Sequence, residues 1–260
     1  MQKLLLVQLK KLFLRTDVKW ILGLFALLPF GIAFLISVES GIVQIGNSVF
    51  SAMGYSSVVV GLLSSLLLIS VTVSLTVTSM VSKEIDVGLD CVYITKVKSR
   101  GNLLVSKMIA MDGMILSVFF LLILSSVLGW LVFLKDSVFG SDLIWSTDGD
   151  ETFALVYTFI GCLLETLVMA RVYTLFSLLF RYGKALVFNF VIIVIFKLLA
   201  NMEALRLWIP SYIGSGMHLS QYRGEALVQY GVFGIGLLMV YTVILSVVNY
   251  WIYQKMDLSR

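Results

Sequence analysis

The residue types that most often do chemistry are scarce in this sequence. His218 is the single histidine, and Cys91 and Cys162 are the only cysteines. These numbers exclude both a Cys/His zinc cluster and a disulfide framework. A catalytic triad could be built only on His218, and the His-Glu-x-x-His motif of metalloproteases is absent. Because His218 falls outside the long apolar segments, we expect a surface or interfacial side chain there, not a ligand or catalyst.

A phosphate-binding loop is also absent. The pattern Gly-x-x-x-x-Gly-Lys-[Ser/Thr] does not occur, because the only Gly-Lys pair, Gly183-Lys184, is followed by Ala185. We therefore expect that the chain is not an enzyme and binds no cofactor or metal itself. Any work driven by ATP would need another polypeptide.

Four ionisable residues fall inside long apolar segments: Asp112, Glu165, Arg171 and Lys197. A charge at the centre of a bilayer costs about 2.5–3.5 kcal/mol on insertion scales, so each should face protein or water and have a partner. Predicted depths pair Glu165 with Lys197 and Arg171 with Asp112. The pairs could line a polar path or movable interface, or clamp helices together, and we favour the clamp.

The elements that carry these residues are membrane spans. The sequence is 60% hydrophobic and 13% charged, whereas a soluble domain is about 45–50% apolar and about 25% charged. A spanning helix needs about 20 mostly apolar residues. We predict an all-α integral membrane protein with one domain, 1–260, and six transmembrane helices. The predicted spans are about 20–38, 55–82, 108–134, 152–180, 185–200 and 226–254.

The basic residues of the connecting loops predict an orientation in the cell membrane. Lys and Arg accumulate in cytoplasmic loops. Fourteen lie on the side of the two termini, and three, Lys135, Arg206 and Arg223, lie on the other side. We therefore expect a multi-pass protein with both termini in the cytoplasm. The net charge of +4 suits anionic lipid headgroups, and no nucleic-acid partner is expected because the basic residues sit in short loops.

The segment 1–19 has the pattern of an amphipathic helix. Its leucines gather on one face and its basic side chains on the other, which is typical of a helix lying in the membrane interface. The alternative is a positively charged extension of the first span. The apolar face would contain Leu5, Leu6, Leu9, Leu12 and Phe13.

The segment 201–225, before the last span, is also amphipathic. Pro210 and the run Gly214-Ser215-Gly216 interrupt it, which predicts two short helices dipping into the outer leaflet under protein cover. The alternative is an interfacial loop anchored by Trp208 and Tyr212.

The longest loop on the cytoplasmic side is 83–107. Its first part, Glu84–Ile94, is predicted to form a short helix, and Ser99 is a predicted N-cap for the helix that becomes the third span. A short helix that mixes charges and apolar side chains could dock a cytoplasmic partner, and the alternative is a plain positively charged loop. The predicted apolar face consists of Val87, Cys91 and Ile94.

This loop resembles that of type-two ABC exporter permeases. The shared features are an acidic residue after the second span, a glycine four residues later, a Ser-Arg pair and a lysine at the start of the third span. They correspond here to Glu84, Gly88, Ser99, Arg100 and Lys107. The order of elements is similar over nearly the whole chain. Many members have a proline just before the Ser-Arg pair, whereas this sequence reads Thr95-Lys96-Val97-Lys98.

The resemblance implies the membrane subunit of an ATP-driven exporter. Such permeases pair with a second copy or paralogue and bind a dimer of cytoplasmic ABC ATPases, which hold the ATP and magnesium. Implied substrates are hydrophobic or amphipathic peptides, such as antimicrobial peptides or bacteriocins in export or immunity, and drugs. The implied ATPase-coupling residues are Glu84, Ile85, Val87, Gly88, Cys91, Ile94 and Arg100. The implied outer gate consists of Leu207, Trp208, Pro210 and Tyr212.

Two other functions remain open. A secondary carrier would show an internal repeat with broken helices in matching positions, and no convincing repeat is visible. A non-transporting membrane immunity or scaffold protein would have the same apolar spans and the same lack of catalytic motifs.

Overall fold

The structure is a computed structural model that describes residues 2–38, 50–94, 99–203 and 205–256, with the backbone alone at positions 91, 92, 94 and 217. Within these ranges the chain is built from helices, with one isolated bridge between Phe50 and Gly140. The α-helices are α1 Gln2–Leu14, α2 Thr16–Ser37, α3 Ala52–Ser65, α4 Leu68–Asp86, α5 Leu89–Ile94, α6 Arg100–Gly129, α7 Gly149–Leu179, α8 Tyr182–Leu199, α9 Pro210–Gly214 and α10 Gly224–Lys255. A π-helical turn, Trp130–Leu134, extends α6, and 3-10 turns form at Arg206–Trp208 and Met217–Gln221.

Six of the described helices are long and apolar enough to cross a membrane: α2, α4, α6, α7, α8 and α10. The chain is therefore an all-α protein of the multi-pass membrane type, as its composition predicts. Helices α6, α7 and α10 contain 30, 31 and 32 residues. At about 1.5 Å per residue they are longer than the hydrocarbon core of about 30 Å, so their ends extend beyond it.

The second predicted span differs from the structure. The prediction of one continuous helix over 55–82 is wrong, because the chain breaks at Leu66 and Leu67 between α3 and α4. Leu67 has a φ of 64°, a left-handed conformation that costs a residue with a side chain about 1–2 kcal/mol. Local backbone bonds satisfy the break, since Leu67 N–H donates to the Ser64 carbonyl at 3.1 Å and Val71 N–H donates to the Leu67 carbonyl at 2.9 Å.

The first helix is a separate element that packs on the helical bundle. Helix α1 ends at Leu14, and α2 begins after Arg15. Helix α1 contacts α6 and α2, and its fully buried side chains are Gln8 and Leu12. The buried side of α1 therefore does not include the whole predicted leucine face, because Leu6 of that face is exposed.

Helix α1 and the last turns of α10 lie at one end of the bundle, which we call the terminal end. Helix α1, the last turn of α4, helix α5 and the beginning of α6 meet there. The turn between α7 and α8 is held at the same end. The Asp86 carboxylate accepts a hydrogen bond from Tyr182 N–H at 2.7 Å, and Ser82 donates to the Phe180 carbonyl at 2.8 Å. Asp86 thereby supplies an N-terminal acceptor for α8, whose own N-cap residue, Arg181, offers none.

Helix α7 lies at the centre of the bundle. It contacts α3, α4, α6, α8, α9 and α10, and about half of its apolar part is buried. Helices α2, α8 and α10 are peripheral and expose large apolar side chains such as Leu27, Val187 and Phe233. So many exposed large apolar side chains suit a bilayer and are unusual on soluble monomers.

Candidate functional site

Charged side chains from four helices meet at the terminal end. Lys107 Nζ of α6 lies 2.5 Å from Asp90 Oδ1 of α5 and 3.2 Å from Glu84 Oε2 of α4. The other Glu84 oxygen lies 2.8 Å from Lys11 Nζ of α1. Tyr253 of α10 donates its hydroxyl to Asp90 Oδ2 at 2.8 Å. We call these five residues, Lys11, Glu84, Asp90, Lys107 and Tyr253, the charge cluster.

The charge cluster is electrically balanced, and it is almost dry except at Lys11, whose side chain is 29% exposed. The side chains of Lys107 and Asp90 are each 1% exposed, and that of Glu84 is 6% exposed. Two cations face two carboxylates, so no charge is left without a counter-charge. Because removing one partner from a buried ion pair costs about 3–5 kcal/mol, the cluster strongly favours one arrangement of the five helices that contribute to it.

A sharp corner between α4 and α5 brings the two carboxylates to Lys107. Glu84 lies in the last turn of α4, and Asp90 lies in the first turn of α5. Between them Gly88 has a φ of 75°, a conformation that glycine adopts without steric cost. The prediction of one helix over Glu84–Ile94 is therefore wrong, since the chain turns at Gly88.

The other predicted coupling residues surround this corner. Ile85 is buried, whereas Val87 is 66% exposed and Leu89 is also exposed. Arg100 begins α6 and is exposed, and Ser99 occupies the predicted N-cap position without a capping hydrogen bond from its side chain.

The predicted apolar face of the coupling helix is divided. Val87 is the C-cap of α4 and not part of α5, so it does not share a helical face with Cys91 and Ile94. The side chains of Cys91 and Ile94 lie outside the described part of the structure. The exposed apolar tip that the structure does describe is formed by Val87 and Leu89.

Three members of the charge cluster, Lys11, Asp90 and Tyr253, were not predicted from the sequence. Lys11 belongs to the basic side of α1 that was expected to face lipid headgroups, but it pairs with Glu84 and lies 5.1 Å from the centre of the Tyr93 ring. Asp90 and Tyr253 carry no motif. The one available signal was that Glu84 and Asp90 are acidic residues in a loop otherwise rich in lysine and arginine.

The structure brings together both predicted charge pairs inside the spans. Arg171 Nη2 of α7 lies 2.5 Å from Asp112 Oδ2 of α6. Glu165 Oε1 of α7 lies 3.9 Å from Lys197 Nζ of α8, which is at the limit of an ion pair. Asn249 of α10 adds a hydrogen bond of 2.9 Å to the Arg171 carbonyl. These contacts connect the central helix to three neighbours.

We expect charge reversal at position 165 to destabilise the protein and a second reversal to restore it. In Glu165→Lys, two cations would face each other in an apolar setting, which should lower the free energy of unfolding by about 3 kcal/mol. Adding Lys197→Glu recreates an opposite-charge pair. Thermal unfolding in detergent measures both, with Glu203→Lys, at an exposed position, as the control. A double variant no more stable than Glu165→Lys would refute the pairing.

Away from the terminal end, α9 packs closely on α7 through two glycines. A Cβ atom at Gly161 would lie 2.6 Å from the Gly214 carbonyl oxygen, and one at Gly214 would lie 2.5 Å from Glu165 Cβ. Tyr157 donates its hydroxyl to the Ile213 carbonyl at 2.9 Å. Helix α9 is therefore seated at the level of the Glu165–Lys197 pair.

The four predicted gate residues occupy different environments around α9. Leu207 and Trp208 are exposed, and Trp208 is 62% exposed. Pro210 is buried as the first residue of α9, where its missing N–H is not needed. Tyr212 is partly buried, and the Arg206 guanidinium lies 5.4 Å from the centre of its ring.

His218 packs against aromatic rings near α9. Its ring meets Tyr157 edge-on, with 5.6 Å between the ring centres, and Tyr212 at 6.1 Å. Burial lowers the pKa of His218 below its ordinary value, so the imidazole is neutral at pH 7. Among the described residues no three His, Cys, Asp or Glu side chains are grouped to hold a metal ion.

Comparisons with known proteins do not identify a related protein for this chain. No protein-family model matches the chain, and no curated protein matches it. The likeness to type-two ABC exporter permeases therefore remains a resemblance of motif and element order.

Proposed function

We propose that the chain is the membrane subunit of an ATP-driven exporter. It would act with a second copy or a paralogue and with a pair of cytoplasmic ABC-type ATPases that hold ATP and magnesium. The proposed substrate is a hydrophobic or amphipathic peptide, as in bacteriocin export or immunity, or a drug. In this proposal the terminal end faces the cytoplasm.

The observation that carries the proposal is the corner between α4 and α5. Its tip exposes Val87 and Leu89, which gives a partner an apolar contact beyond the end of the bundle. Its base is fixed to α6 and α10 by the bonds of Asp90 to Lys107 and Tyr253.

A force on this tip would be passed to several helices at once. Glu84 belongs to the last turn of α4. Its ion pair with Lys11 connects the corner to α1. Buried ion pairs resist separation because each partner would be left without a counter-charge. The corner is thus suited to transmit the closing of an ATPase dimer to the spans as movement.

Affinity purification of the tagged chain in mild detergent tests the proposal. We expect a P-loop ATPase to co-elute with the unaltered chain. Val87→Asp should reduce the recovered ATPase about tenfold, because a charge placed in an apolar contact costs more than 1.4 kcal/mol. Val138→Asp, at an exposed position in the loop between α6 and α7, is the control and should leave recovery unchanged.

Other outcomes would favour the rival functions. Transport by the purified chain in vesicles without ATP would contradict the proposal and support a secondary carrier. Absence of both a co-eluting ATPase and transport would support an immunity or scaffold protein.

A further inference from the structure

A cavity of about 350 Å³ lies between α7, α8, α10 and the segment that leads into α9. This volume is within the range of about 300–1,000 Å³ that is common for ligand pockets. Apolar and aromatic side chains line it, and the hydroxyl of Tyr241 is already used in a 3.3 Å hydrogen bond to the Trp208 carbonyl. The lining residues used below are Val168, Val172, Trp208, Tyr241, Ile244 and Leu245.

The cavity opens on the exposed apolar surface of α10. Ile244 on α10 is 54% exposed and Trp208 is 62% exposed, and both are part of the lining. Water is a poor occupant, because an ordered water needs about two to four polar partners. An empty cavity would forfeit the dispersion contacts of its lining. The surrounding hydrocarbon therefore supplies the best occupant, a lipid acyl chain.

The cavity has a direction along the bundle. The Trp208 carbonyl lies beside Tyr241, whereas Val172 and Leu245 lie further along α7 and α10 toward the terminal end. An acyl chain entering beside Trp208 would thus point toward the terminal end. Its headgroup would remain beside the turn Arg206–Trp208.

Arg206 is placed to hold that headgroup. Its guanidinium lies over the Tyr212 ring at 5.4 Å, and no described carboxylate lies within ion-pair distance of it. A guanidinium without a carboxylate partner readily donates charge-assisted hydrogen bonds to a phosphate. The residue is on the same 3-10 turn as Trp208.

We propose that this cavity is a binding site for one phospholipid, with an acyl chain beside Ile244 and Leu245 and the phosphate at Arg206. The site does not depend on the proposed transport function. A bound lipid would fill the space between α7 and α10 and support the turn that leads into α9.

Native mass spectrometry of the protein in detergent tests the acyl site. The unaltered chain should retain one phospholipid. Ile244→Trp fills the cavity and should reduce retention about tenfold, because the indole displaces several methylene groups. Val243→Trp, at a neighbouring exposed position that does not line the cavity, should retain lipid normally. Equal retention in the two variants would overturn the proposal.

Arg206→Gln tests the phosphate contact. It should reduce the preference for a phospholipid over the matching diacylglycerol about fivefold, because a hydrogen bond to a charged group is lost. An unchanged preference would overturn the assignment of Arg206.

Tryptophan fluorescence provides a test in which the cavity keeps all its own residues in the variant that reports on it. A variant with Trp208 as its single tryptophan should remain quenched by a phospholipid with brominated acyl chains after detergent washing. A variant with Trp20, an exposed residue outside the cavity, should lose its quenching. Equal loss at Trp208 would contradict a retained lipid.

Discussion

Replacing Lys107 by methionine should lower the free energy of unfolding by about 3–5 kcal/mol. Methionine has a similar length, so the change removes the charge with little change in volume. The carboxylates of Glu84 and Asp90 would then remain buried, with Lys11 near Glu84 and no cation near Asp90. We expect this variant to be the least stable of the single substitutions considered.

Unfolding in mixed micelles of a mild detergent and dodecyl sulfate measures this loss. Lys184→Met is the matched control, because Lys184 is exposed at the start of α8, and it should change stability by less than about 0.5 kcal/mol. Adding Asp90→Asn to Lys107→Met should restore part of the stability, since it removes an uncompensated charge. A loss in Lys107→Met no larger than in the control would show that the cluster contributes little.

Replacing Gly161 by alanine should displace α9 from α7. The new Cβ would approach the Gly214 carbonyl oxygen to 2.6 Å, and a backbone atom cannot rotate away as a side chain can. Overpacking of this kind costs about 1–3 kcal/mol. Cys162, which is 2% exposed and lies 3.7 Å from the same carbonyl, should become accessible as the helices separate.

Maleimide labelling of Cys162 in a Cys91→Ser background measures this separation. We expect the reaction to be about fivefold faster in Gly161→Ala. The reason is that the free energy needed to separate α9 from α7 falls by about 1 kcal/mol. Gly236→Ala is the control, since a Cβ there meets no atom within 4 Å and alanine favours a helix by about 1 kcal/mol over glycine. Equal labelling rates in the two variants would exclude close glycine packing as the reason for the protection of Cys162.

The features predicted best depend on composition and on helical rise. Six apolar segments identify the spans because hydrocarbon tolerates few other structures. The pairs Glu165–Lys197 and Asp112–Arg171 were found by comparing depths along helices, which needs only about 1.5 Å per residue. Apolar length and depth along a helix can both be read from the sequence without knowing the packing of the helices.

The break at Leu67 was not predictable from the sequence. Leucine rarely adopts a positive φ, and neither glycine nor proline occupies positions 65–68. Gly88 is visible in the sequence, but only the backbone of the structure shows that it has a positive φ and turns the chain. Tertiary packing decides both features.

The charge cluster was missed for a different reason. Its members come from five helices, and contacts between distant segments leave no mark in a single sequence. A lysine just before a span is typical of a positively charged flank, so the motif that contains Lys107 did not predict its burial. Its burial follows from the corner that brings Asp90 beneath it.

The charge cluster also implies an order for assembly during synthesis. Lys11 is made early, Glu84, Asp90 and Lys107 follow together, and Tyr253 is made last. The two carboxylates can find their cations as soon as α6 has entered the membrane. Asp90 receives its bond from Tyr253 only when α10 is in place. The carboxylate of Asp90 therefore has both of its partners only once the last described helix has joined the bundle.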